Sequence, residues 1–167
     1  MDKRTKKTPS IDVALLKARK YCSLYERSKA ETEKKLRDYG VMEGDIPFII
    51  EKLVNEGFLN ENRFATAFAS GKFRYKKWGR NRIVMEMKRK GLSEELIKKG
   101  ISELSQEEYG KTLDTLLQKK WVQLERKIVP DDYESGYIAK QKLIKYALQK
   151  GYEQDIIISR LKQMKIM

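Results

Sequence analysis

The chain has 167 residues, 37% of them charged, with a formal net charge of +13 at neutral pH, no histidine, one cysteine and three prolines. That composition excludes Ser-His-Asp and Cys-His catalysis, imidazole metal ligands and imidazole pH switches, and a lone cysteine supports neither an intrachain disulfide nor a Cys-rich zinc site. No run of about 18 apolar residues exists to cross a bilayer, and the positive balance favours an anionic partner.

Residues 1–10 hold four cations and one acid, lack a hydrophobic segment of signal-peptide type, and read as a disordered basic arm. From residue 11 the apolar spacing is helical almost to the end. Leu15, Ala18, Cys22 and Tyr25 form the first stripe, with Cys22 expected as a small buried hydrophobe. Ser28 is an N-cap and Gly40 a stop, which frames a helix over "SKAETEKKLRDY". Ile46, Ile49, Ile50 and Leu53 mark the next helix, ended by Gly57. Asn60 caps a long helix whose stripe runs Phe64, Phe68, Gly71, Tyr75 and Trp78, ended by Gly79. Gly91 ends the following helix, and Ser93 with Glu94 and Glu95 opens another. Leu113, Leu117, Trp121, Leu124 and Ile128 give the clearest stripe, and "KIVPDDYESG" reads as a loop over roughly 128–134. The pairs Glu94-Glu95, Glu107-Glu108 and Asp131-Asp132 read as helix-start charges rather than acid/base or magnesium sites. No phosphate loop or dinucleotide turn occurs, so no cofactor and no small-molecule substrate are expected.

An internal repeat emerges from these elements. "KKLRDYG", "MEMKRKG" and "KYALQKG" end at Gly40, Gly91 and Gly151, and short acidic turns follow, "VMEGDI", "LSEELI" and "YEQDII". The unit is helix, helix, glycine, helix. The fold class expected is all-α, an elongated curved array of three tandem three-helix repeats over residues 11–57, 58–104 and 105–167. A single compact bundle is the alternative.

Charge is concentrated in one place. Gly71 to Gly91, "GKFRYKKWGRNRIVMEMKRKG", carries nine cations against one acid, Glu86, a local balance of +8. A face that only solubilises intersperses both signs, as residues 92–136 do with ten acids and seven cations. Lys72, Arg74, Lys76, Lys77, Arg80, Arg82, Lys88, Arg89 and Lys90 are therefore the candidate contact ridge for a nucleic acid or an acidic protein groove. Phe64, Phe68, Tyr75, Trp78 and Ile83 are expected to pack beneath it. Tyr75 and Trp78 also have the chemistry to stack on bases.

The stretch "EGFLNENRFATAFASGKFRYKKWGRNRIVMEMKRKG" resembles the RecX family. Gly57, Phe58, Leu59, Asn60, Glu61, Phe64 and Ala65 match its first pattern. Gly79, Arg82, Ile83, Lys90 and Gly91 match the second, and Arg27, Ser28 and Leu36 are similar to the family's first Arg-Ser helix. Met87 stands where Leu is usual, Thr32 replaces a usual Leu, and the third unit matches weakly. The resemblance covers roughly residues 12–165.

It implies three tandem three-helix repeats without enzymatic activity. It further implies a regulator that binds RecA–single-stranded DNA filaments in their helical groove and inhibits extension, ATP hydrolysis and strand exchange. A cytoplasmic, membrane-free monomer is expected. The second hypothesis is a general single-stranded nucleic-acid binder that affects recombination only by competing for DNA. A third, a transferase or nuclease, has no residue constellation behind it.

Overall fold

The structure, a computed structural model, describes residues 8–166, and most of the expected basic arm lies outside the described residues. Among these residues there are nine α-helices and no strand: α1 (Ile11–Leu24), α2 (Lys29–Asp38), α3 (Ile46–Asn55), α4 (Glu61–Lys76), α5 (Arg80–Arg89), α6 (Glu94–Ser102), α7 (Gln106–Glu125), α8 (Tyr133–Lys150) and α9 (Gln154–Gln163). The fold is all-α and follows the helix-helix-glycine-helix order three times. Gly40, Gly91 and Gly151 adopt left-handed φ angles of 85°, 79° and 93°. A side chain there would cost free energy on backbone grounds alone, which accounts for the recurring glycine. Two compact units form, one from residues up to Phe68 together with Met87–Lys99, the other from Ala69–Glu86 together with Gly100–Met167.

In the first unit α1, α2 and α3 pack on one another through Ala14, Leu15, Ala18, Cys22, Leu36, Ile46, Ile49, Ile50 and Leu53, all buried. Each fully buried Leu or Ile contributes about 1.5–3 kcal/mol relative to exposure. The α1–α2 junction closes with a capping box. The Ser28 hydroxyl accepts from the Glu31 N–H at 3.1 Å, and the Glu31 carboxylate accepts from the Ser28 N–H at 3.1 Å. Thr32, the residue standing for a usual Leu, is fully buried. Its hydroxyl donates to the Ser28 carbonyl at 3.0 Å, so its polar atom is satisfied in the core. Met87 is fully buried as well.

Tyr25 departs from its expected place on the α1 stripe. The helix ends at Leu24, so the period stops there, and Tyr25 is a C-cap residue 70% exposed, its ring 5.3 Å from the Arg27 guanidinium. Asn60 and Ser93 cap as expected, accepting from the N–H groups of Arg63 (3.0 Å) and Leu96 (3.4 Å).

The second unit is built on α7 packed against α8, with α9 contacting both. At about 1.5 Å per residue, the 20 residues of α7 extend roughly 30 Å. Leu113, Leu117, Leu143, Ile157 and Leu161 are buried between them. The α7–α8 connection spans residues 126–132, about two residues ahead of the loop expected over roughly 128–134, because α8 already begins at Tyr133. Asp132 caps α8 by accepting from the Glu134 and Ser135 N–H groups, and Glu107 and Glu108 occupy the first turn of α7. Both acidic pairs therefore sit at helix starts, where the dipole favours negative charge.

Candidate functional site

The candidate ridge lies on the last turns of α4, the short Lys77–Gly79 connection and α5. Within the second unit that connection is clamped by the C-terminal end of α8. The Gly79 N–H donates to the Lys150 carbonyl at 2.8 Å and the Asn81 N–H to the Gly151 carbonyl at 3.0 Å. The two backbones touch. A Cβ on Gly79 would lie 2.3 Å from the Gly151 carbonyl carbon, and a Cβ on Gly151 would lie 2.4 Å from the Arg82 Cβ. Gly79 was expected as a helix stop. Its φ is not left-handed, and Lys77 instead takes the left-handed turn at φ 54°. Glycine is required at 79 by close backbone approach, the reason glycine also tolerates such contacts elsewhere.

Three rings pack beside the clamp, Phe73 and Tyr109 stacked and Tyr109 and Tyr152 tilted by 45°. Phe73 lies 5.6 Å from Tyr109, and Tyr109 lies 5.0 Å from Tyr152. The Tyr109 hydroxyl accepts from the Arg80 N–H at 2.9 Å and donates to Glu153 Oε2 at 2.5 Å. The Tyr152 hydroxyl donates to the Lys77 carbonyl at 3.3 Å, which helps hold the left-handed turn.

The nine candidate cations divide according to what surrounds them. Arg74, Lys76 and Lys77 are exposed. Lys72 and Arg82 are half-buried and approach Trp78, with Lys72 Nζ 5.2 Å and the Arg82 guanidinium 4.2 Å from its ring. Arg82 also donates to the Gln149 carbonyl at 3.2 Å. Arg80 is turned inward, its side chain 15% exposed, 3.2 Å from Glu153 Oε1 and 3.9 Å above the Tyr109 ring. In the first unit, Lys90 is ion-paired with Glu31 and lies 5.4 Å from the Phe68 ring. Lys88 and Arg89 are exposed there, with Lys88 3.9 Å from Glu94. The structure therefore gathers Lys72, Trp78 and Arg82, leaves Arg74, Lys76 and Lys77 in solvent, and engages Arg80 and Lys90 in internal ion pairs.

The packing residues need one correction. Tyr75 is 86% exposed, and the inward position belongs to Phe73, which is buried with Phe64, Ala65 and Ala69. Phe64 and Ile83 are buried as expected, while Phe68 and Trp78 are half-buried. The stripe fails because the buried side of α4 runs through Ala65, Ala69 and Phe73, which turns Tyr75 to solvent, and because α4 ends at Lys76, before helical spacing can carry Trp78 to the same face. The sequence reading also missed Tyr109, Tyr152 and Glu153. The only signal was that Gly151, Tyr152 and Glu153 open an acidic turn, read simply as a helix start.

Two electrostatic consequences follow from these contacts. Partial burial pushes the Glu31 carboxyl up, but donation by Lys90 and by the Ser28 N–H outweighs it, and the pKa falls below the ordinary glutamate value. The associated stability is present above the ordinary glutamate pKa and is lost as pH falls through the lower folded value. Burial, reinforced by the bond to Glu153, pushes the Tyr109 hydroxyl well above 10, and burial does the same to Tyr152. A raised folded pKa means that this stability is intact below pH 10 and is lost as pH rises through the folded values. Unfolding should ease progressively above about pH 10. Tyr109→Phe is expected to make that alkaline decline shallower by about one proton. At neutral pH it should cost about 1–3 kcal/mol by stranding the Arg80 N–H and Glu153. Urea denaturation at pH 7 to 11 reads both effects.

The 60–103 segment matches a family model described as "RecX, second three-helix domain". The chain is 32% identical to the regulatory protein RecX of Clostridium perfringens (strain 13 / Type A) over 138 residues, 80% of this chain and 62% of that protein. It is 30% identical to the regulatory protein RecX of Clostridium botulinum (strain Eklund 17B / Type B) over 154 residues, 90% of this chain and 69% of the relative. The chain belongs to the RecX family. It spans 62% of the C. perfringens relative and 55% of a RecX from Bacillus cytotoxicus. The fold agrees with the crystal structure of RecX from Lactobacillus salivarius, at a TM-score of 0.80 and 22% identity, covering 94% of this chain and 97% of that one. These RecX relatives carry the name of a regulatory protein. Among the described residues of this RecX-family chain, no helix is long and apolar enough to cross a membrane.

Proposed function

We propose that this chain is a non-enzymatic regulator that binds RecA filaments on single-stranded DNA, lies in their helical groove, and inhibits extension, ATP hydrolysis and strand exchange. The observation that carries this reading is the local charge of Gly71 to Gly91, nine cations against one acid, on a RecX fold. A helix C-terminus favours cations, which explains part of the preference for Arg74 and Lys76 on α4. It does not explain Lys77, Arg80 or Arg82, which lie beyond that helix. Read as three repeats, residues 11–57, 58–104 and 105–167, the chain presents its basic segment in the middle one. Phosphates and acidic recombinase surface are the complementary partners, and Coulombic attraction steers the encounter. The protein acts as a monomer without cofactor or small-molecule substrate.

The test is recombinase ATPase titrated with the protein on saturating single-stranded DNA. A fall well below one molecule per recombinase subunit is expected. An ATPase unchanged at equal concentrations would remove the proposal. The exposed Tyr75 favours a second reading, a general single-strand binder that acts by competing for DNA. In that case inhibition disappears once DNA is in excess.

A further inference from the structure

We infer that Tyr75 is a base-stacking platform at which this chain holds a single-stranded nucleic acid directly, with Arg74, Lys76 and Lys77 on the flanking phosphates. The inference deepens the proposed function and rests on its reading of the basic segment. Three observations meet at one place in the second unit. Tyr75 is a large ring at 86% exposure, which leaves its faces available. Its sequence neighbours Arg74, Lys76 and Lys77 are all exposed, and among the described residues none of the three takes part in an ion pair. The platform is also held firmly. Phe73 anchors the last turn of α4 against Tyr109, and Lys77 is fixed in a left-handed turn by the Tyr152 hydroxyl. A non-glycine residue in that conformation is strained, and such strain concentrates where a side chain must be aimed.

Trp78, by contrast, already has cations at its ring, from Lys72 and Arg82. Stacking therefore falls to Tyr75. Every base has a π-face, so the platform accepts any sequence, while the paired and stacked bases of a duplex cannot reach it.

The test measures binding of the full chain to three labelled probes of equal length, the two single strands being equal in phosphate number as well. They are an oligo-dT strand, the same strand with abasic sites throughout, and a duplex. Wild type should prefer the oligo-dT over the abasic strand. Tyr75→Ala should weaken oligo-dT binding about tenfold, the scale of one lost base stack, and leave abasic binding unchanged. Tyr75→Phe should retain wild-type affinity. Tyr133→Ala, which removes another tyrosine at 88% exposure outside the basic segment, should have no effect. Equal wild-type binding to dT and abasic strands overturns the inference. So does a Tyr75→Ala loss equal on both strands, or no loss at all. Recombinase ATPase inhibition by the same variants separates the two readings. Inhibition intact with stacking absent sinks only this inference, whereas wild type that binds strand but never inhibits sinks the proposed function.

Discussion

Gly79→Ala is expected to destabilise the Ala69–Glu86 and Gly100–Met167 unit by about 3 kcal/mol or more, at the upper end of overpacking costs. The added Cβ would meet the Gly151 carbonyl carbon and oxygen at 2.3 Å and the Tyr152 nitrogen at 2.4 Å. These are backbone atoms, so no side-chain rotation relieves the clash. Separation would break the Gly79 to Lys150 and Asn81 to Gly151 hydrogen bonds that clamp the connection. Gly71→Ala supplies the opposite sign within α4. Nothing lies within 4 Å of a Cβ there, and replacing a mid-helix glycine should gain up to about 1 kcal/mol. Denaturant unfolding of the two variants checks both values. Equal stabilities would show that the clamp does not set the position of the basic connection.

The second large effect is on binding. Replacing Arg74, Lys76 and Lys77 together with Ala should leave helicity nearly unchanged, because all three side chains are exposed. The log-log salt slope for single-strand binding should fall by about 2, at about 0.7 per lost phosphate contact. Inhibition of recombinase ATPase should require at least tenfold more protein at moderate salt. Arg80→Ala is expected to behave differently. Its guanidinium packs on Tyr109 and pairs with Glu153, so its loss should lower stability before it touches affinity. A triple variant that inhibits like wild type would remove the α4 terminus from the interface.

Local features were legible in the chain itself. Ser28, Asn60 and Ser93 act through bonds to residues three positions away, and the glycines at 40, 91 and 151 answer to their own φ angles. What the sequence hid was reach. Arg80 finds Glu153 across 73 residues and Lys90 finds Glu31 across 59, separations at which no spacing rule operates. Tyr75 and Phe73 exchange roles for a related reason. Ala65 and Ala69 complete the buried side of α4, but small residues mark a face weakly, and the larger rings of Tyr75 and Trp78 drew the stripe the other way. Gly79 looked like a terminator because its true constraint, the backbone of Gly151, lies 72 positions away. The local excess of cations was plain from composition. Which of them meet solvent depended on those distant acids.

Recognition of a nucleoprotein filament, rather than of bare strand, is tested most directly by partition. Preassembled recombinase filaments, naked single-stranded DNA in large excess and a limiting amount of the protein are mixed at moderate salt, and the filaments are then pelleted. The protein is expected to travel with the filaments. Its quantitative transfer to the naked strand would contradict groove binding and leave a polyanion binder that acts by competition alone.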